Sequence, residues 1–147
     1  MKTLWDPRRQ EEILTRIRSL RPDSAARWGR MTCTQMVVHA TDALALYCGQ
    51  LQCDVKRTPL LYPPLKQAVV YLMPMPKNVP TAPVLLARAP AGWDEEITRL
   101  EKTLATFASH HARTEWPLHP LFGRMSRRAY GVLAYRHTDH HLRQFGV

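Results

Sequence analysis

The stretch Ser126-Arg-Arg-Ala-Tyr-Gly-Val-Leu-Ala-Tyr-Arg-His-Thr-Asp-His-His-Leu-Arg-Gln144 decides the fold. Serine is a favoured N-cap, because its hydroxyl accepts from a free backbone N–H of the first turn, so a helix is expected over residues 127–144. Residues three and four apart share a helical face. On that spacing Tyr130, Leu133, Ala134, His137, His141 and Gln144 form one inward stripe, apolar at its start and rich in imidazole at its end.

Three further helices read the same way. Asp6-Pro7 pairs an N-cap with proline at the first helical position, and Ile13, Ile17 and Leu20 follow at helical spacing, giving a helix over 7–20. Thr32 and Gln35 make a capping box for a helix from residue 33 to the stop at Gly49. Its face carries Met36, His39, Ala40, Ala43, Leu44 and Tyr47, which turns His39 toward the core. Gly92-Trp93-Asp94 opens the next helix, with Asp94, Glu95 and Glu96 where the helix dipole favours negative charge. Its buried stripe is Ile97, Leu100, Leu104, Phe107 and Ala108, and His110 and His111 lie in its last turn.

Residues 50–92 are proline-rich, and Leu65 to Leu72 is the one short helix expected among them. A structureless loop of that length does not suit a compact domain, whereas a crossover running the length of a bundle does. No strand-like alternation, internal repeat or glycine-rich phosphate loop is visible. The expected fold is all-α, a single domain over 1–147 built as a four-helix bundle with a long crossover and a short extra helix.

His137 and His141 are four apart, so their rings can converge on one metal ion. If the helices of His39 and His141 are antiparallel neighbours, the start of one meets the end of the other and three imidazoles gather. Three neutral imidazoles suit zinc, nickel or ferrous iron and leave a coordination position open. The competing reading makes His39 a core histidine bonded to a backbone carbonyl. Gln144 and Asp42, one turn beyond His141 and His39, are candidates to hold a ligand's other ring nitrogen or orient a water. His140 is rotated off the stripe and pairs with His137 only at three residues' spacing, while His110, His111 and His119 suit surface or capping roles.

Composition bounds the rest. The chain has 147 residues, 45% hydrophobic and 22% charged, which is globular and not disordered. No apolar run is long enough to span a membrane, and the charged N-terminal stretch does not read as a secretory signal, so the cytoplasm is the expected address. Cys33, Cys48 and Cys53 match no zinc pattern and read as reduced small hydrophobes, with Cys33 at a helix start where a thiolate is favoured. The 21 Lys and Arg against 12 Asp and Glu leave a charge of +9, which attracts anions, but no base-reading or strand-stacking motif accompanies it.

Three segments resemble the DinB/YfiT-like superfamily of metalloenzymes, within an uncharacterised bacterial branch: W-G-R-M-T-C-T-Q-M-V-V-H (Trp28–His39), H-P-L-F-G-R-M-S (His119–Ser126) and H-T-D-H-H-L-R-Q-F-G (His137–Gly146). The resemblance implies a four-helix bundle with a crossover after the second helix. It also implies a divalent metal on His39, His137 and His141, with Gln144 as the family glutamine. Characterised relatives imply that such a metal activates a low-molecular-weight thiol for transfer to an electrophile.

Two functions follow as expectations. The first is a metal-dependent enzyme, a thiol transferase or a hydrolase acting on a small molecule, with Arg124, Arg136 or Arg143 receiving carboxylates at the pocket mouth. The second is a non-catalytic stress-related protein that binds nucleic acid or another acidic partner through its basic surface. A homodimer is compatible with either, and no catalytic side chain is singled out.

Overall fold

The computed structural model describes residues 1–77, 85 and 88–147. Among them there are five helices and no strand: α1 (Pro7–Arg18), α2 (Cys33–Cys48), a short α3 (Leu65–Gln67) continued as a π turn over Ala68–Leu72, α4 (Trp93–Ser109) and α5 (Arg127–Gln144). The sequence caps are in place. The Asp6 carboxylate accepts from Arg8 N–H at 2.9 Å, and Ser126 Oγ accepts from Ala129 N–H at 3.2 Å. Thr32 and Gln35 exchange both bonds of the capping box, at 3.2 and 2.9 Å. Gly49 ends α2 with φ +82°, a left-handed conformation that costs glycine little. α1 stops at Arg18, two residues short of the expected end, because Ser19 Oγ turns back to the Arg16 carbonyl at 2.8 Å and Ser19 N–H bonds there too.

α2 is buried almost all round, since it lies between α4 and α5. Its direction follows from its neighbours. Tyr47, near its end, is 5.7 Å from the ring of Tyr130 at the start of α5, whereas His39 is 4.7 Å from the ring of His141 at the other end. α2 and α5 are therefore antiparallel. α1 runs with α5 instead: Trp5 donates to the Arg127 carbonyl, Tyr135 to Glu12, and Arg16 pairs with Asp139 at 2.7 Å.

The N-terminal strap over α5 depends on a missing side chain. Leu4 N–H bonds the Gly131 carbonyl at 3.0 Å, and a Cβ on Gly131 would lie 2.1 Å from Trp5 Nε1. Trp5 can then stack on Phe107 of α4 at 4.5 Å between ring centres. At the other edge Arg136 donates to the carbonyls of Val69, Val70 and Met73, which the π turn leaves without helical partners. No helix is long and apolar enough to cross a membrane among the described residues.

Candidate metal centre

The two caps fix the rotation of α2 and α5, and with it the placing of three imidazoles. Met36 and Ala43, each 1% exposed, flank His39 on the buried face of α2. One nitrogen from each of His39, His137 and His141 falls within 4.8 Å of the others. His39 Nε2 and His137 Nε2 are 3.2 Å apart. Two nitrogens bound tetrahedrally at roughly 2.0–2.1 Å from a zinc ion lie about 3.3–3.4 Å apart, so this pair is already near its liganded spacing.

All three rings are held neutral. Burial pushes His39 down to about 4 and His141 to about 3, and it pushes His137 well below the usual imidazole range, helped by its two histidine neighbours. Neutral imidazole is the ligand form. His39 Nδ1 is enclosed without a full hydrogen bond, and the Leu85 backbone beside the ring favours its protonated form, which burial outweighs.

The tautomer of His141 is set from outside the site. Gln144 Nε2 donates to the Trp28 carbonyl at 2.7 Å, which orients the amide. Its Oε1 then faces His141 Nδ1 at 2.8 Å and can only accept, so Nδ1 carries the proton. The Nε2 lone pair is thereby left for the cluster. This arrangement, a ligand imidazole donating its other N–H to an oriented oxygen, is how proteins commonly fix metal-binding histidines. The donor set fits a divalent ion: three neutral nitrogens could hold one and leave a position open.

A family of proteins of unknown function, DUF1569, has a model that matches residues 60–146. The chain belongs to DUF1569. The DUF1569 match takes in α4, α5 and two of the three clustered histidines, while His39 precedes it. No curated protein and no solved structure matches the chain.

The remaining sequence candidates are placed as follows in this DUF1569 member. The Asp42 carboxylate faces Arg88 Nε at 3.3 Å and not an imidazole. Arg88 also holds Glu96, at 2.6 and 2.9 Å, and Glu96 takes the Ala91 N–H at 2.9 Å. His140 is partly buried, 5.4 Å from the Trp28 ring and 5.2 Å from that of His141. Lys77 Nζ sits over Trp28 at 4.3 Å. Arg136 is occupied by the π-turn carbonyls, Arg143 pairs with Asp139 at 3.1 Å, and Arg124 is exposed. His111 is exposed, and His110 begins a single 3-10 turn after α4.

One residue departs from the sequence reading and one narrows it. Cys33 does begin α2, but burial pushes its thiol up to about 11. His119, expected in a surface or capping role, is 7% exposed and takes the capping one. Its Nδ1 accepts from the N–H groups of Leu121 and Phe122 at 3.1 and 3.3 Å, while its backbone pairs with Gly123 at 2.8 Å in both directions. The signal was the turn H-P-L-F-G, whose Gly123 has φ +60°. The expected crossover falls partly on residues 78–84, 86 and 87, outside the described residues.

Proposed function

We propose that this chain is a metal-dependent enzyme of the DinB/YfiT-like superfamily, to which DUF1569 belongs, with one divalent zinc, nickel or iron ion on His39, His137 and His141. One observation carries this reading: three buried or partly buried, neutral imidazole nitrogens face one another within 4.8 Å, with no carboxylate or cysteine among the described residues joining their cluster. Burying such groups is costly unless something satisfies them.

The helix pairing supports a four-helix bundle of α1, α2, α4 and α5, with residues 50–92 as the crossover, forming one domain over 1–147. A metal at such a site lowers the pKa of a bound thiol or water. A low-molecular-weight thiol transferred to an electrophile, in a cytoplasmic protein of the H-x-x-H-H-x-x-Q-F-G branch, is the reaction the resemblance favours; hydrolysis is the other chemistry open to it. Around the site Gln144 sets the His141 tautomer, while Trp28, His140 and Lys77 cluster beside it. Arg124 and Arg143 remain candidates for an anionic substrate group at greater remove.

Element-resolved analysis of protein purified without a histidine tag tests the reading. One divalent ion per chain is expected, and a protein that stays metal-free in the presence of zinc, nickel and iron would overturn it.

A further inference from the structure

The surplus of positive charge is not spread evenly along the chain. No Asp or Glu occurs between Asp54 and Asp94, or between Glu115 and Asp139. These two runs hold 9 of the 21 Lys and Arg, and the other 12 balance the 12 Asp and Glu. The whole +9 therefore sits in two segments.

The fold brings parts of those segments together. α3 and its π turn, from the first run, lie against α5, from the second, where Arg136 donates to the carbonyls of Val69, Val70 and Met73. Lys66 Nζ donates to the Arg124 carbonyl at 3.1 Å, and the Arg128 guanidinium is 5.8 Å from the centre of the Tyr71 ring. Gln67, Tyr71, Leu72 and Arg128 line one groove with Met1. Lys66, Arg124 and Arg128 make no ion pair among the described residues. Lys2, beside Met1, meets Glu12 at 3.2 Å, and that carboxylate also takes Arg9, so it adds no net negative charge.

The same face is apolar where water should reach it. Val70 is the one buried residue of α3 and its π turn. Leu72 is 77% exposed, Met73 49%, Leu65 41%, and Tyr62, just before them, 68%. A single exposed leucine needs no explanation. Four large apolar side chains within residues 62–73, in a run that carries cations and no acid, mark a site of association.

Charge and apolarity together select the occupant. A second copy seated face to face would set Lys66, Arg124 and Arg128 against their own kind. A nucleic acid would answer the cations and leave Leu72 and Met73 in water. The surface of an anionic bilayer answers both, since apolar side chains enter the headgroup boundary while cations stay at the phosphates. We propose that the face of α3 and its π turn, with Leu72, Met73, Lys66, Arg124 and Arg128, docks on the surface of an anionic bilayer. The chain lies on the bilayer and does not cross it, and docking requires no bound metal.

The test is co-sedimentation of the full chain with vesicles of phosphatidylcholine, alone or mixed equally with phosphatidylglycerol. Binding to the mixed vesicles should exceed binding to the neutral ones by more than about 10-fold at low salt, and should weaken as salt rises. Lys66→Gln, Arg124→Gln and Arg128→Gln together should weaken it by about 100-fold, roughly five-fold per charge. Arg8→Gln, Arg21→Gln and Lys102→Gln lower the net charge equally at other exposed positions and should weaken it by less than about 5-fold. Leu72→Ser with Met73→Ser leaves the charge unchanged and should weaken it by about 10-fold. Thermal unfolding of each variant should match the parent chain, which separates lost docking from a lost fold.

No binding to the mixed vesicles at low salt would overturn the docking face. So would equal losses from the two sets of charge substitutions, or full binding by the Leu72→Ser, Met73→Ser chain. A dimer in sedimentation that those two serines break would assign the face to a second copy, and a single-stranded oligonucleotide bound more tightly than the vesicles would assign it to nucleic acid. Either result overturns the lipid surface as its occupant.

Discussion

Two polar clusters lie within one turn of each other on α2 and solve the same problem in opposite ways. Around Asp42, the carboxylates of Asp42 and the fully buried Glu96 are bridged by Arg88, and Glu96 takes the Ala91 N–H as well. Around His39, three imidazoles converge, His39 Nε2 and His137 Nε2 lie 3.2 Å apart, and the outer nitrogen of His141 is bonded to Gln144. The first cluster closes on itself and is complete as protein. The second consists of imidazole nitrogens that face one another, and on the proposed reading a divalent ion completes it. Polar burial with its partners present is structure, and converging imidazole lone pairs suit a bound ion.

The contrast breaks most sharply at His141. His141→Ala should take metal content from one ion per chain to almost none, with affinity falling by more than about 100-fold, beyond the usual loss of an outer partner. Stoichiometric metal in that variant would remove the site as drawn, and His111→Ala, at an exposed position, should leave metal content unchanged. On the other cluster, Arg88→Ala leaves Glu96 and Asp42 buried without their cation. Thermal unfolding should then show a loss of about 3–5 kcal/mol, the usual cost of orphaning one half of a buried pair. Metal content per folded chain should be unaffected. If Arg88→Ala instead empties the site, the two clusters are not independent.

Acid should separate them further. The histidines favour the neutral form in the folded state, so their contribution is complete above the unfolded value of 6.5 and is lost as pH falls toward about 4 for His39 and 3 for His141. That is on the order of 3 kcal/mol for His39 and of 5 kcal/mol for His141 over that window. Glu96 is pushed up by burial but is held lower overall by Arg88, the Ala91 N–H and Arg99, so its contribution survives to below its unfolded value of 4.5. Melting curves of the metal-free protein should therefore drop first between pH 6.5 and 4, and Glu96→Gln should leave that first drop in place. The smallest effect is expected at Gln144. Gln144→Ala frees the His141 tautomer without removing a ligand and should weaken metal binding by about 10–100-fold.

Much of this was legible from local rules. Caps at Asp6, Thr32 and Ser126 fix where helices start, and helix periodicity then turns His39, His137 and His141 inward. What escaped depended on neighbours. Asp42 lies about 60° around the helix from His39, far enough that it meets Arg88, and no spacing in the sequence pairs an arginine of the crossover with α2. The environment of Cys33 reversed a rule that holds at exposed helix starts. Arg136 reads as a candidate to receive a substrate carboxylate, yet the π turn presents it with three carbonyls. The burial of His119 was masked by its turn, since no spacing shows that Nδ1 accepts from the N–H groups of Leu121 and Phe122.

The distance along the chain between His39 and His137 has a temporal meaning. They meet across 98 residues, and the pairing of α1 with α5 likewise joins Trp5 to Arg127 across 122. Contacts that far apart close slowly, because the loop entropy is lost before the contact forms. During synthesis the first half of the chain must wait with α2 uncovered until α4 and then α5 emerge. An ion caught between His39 and His137 would then act as a clasp on one of the long loops of the fold, and refolding rates measured with and without zinc would show whether the clasp closes before or after the helices pack.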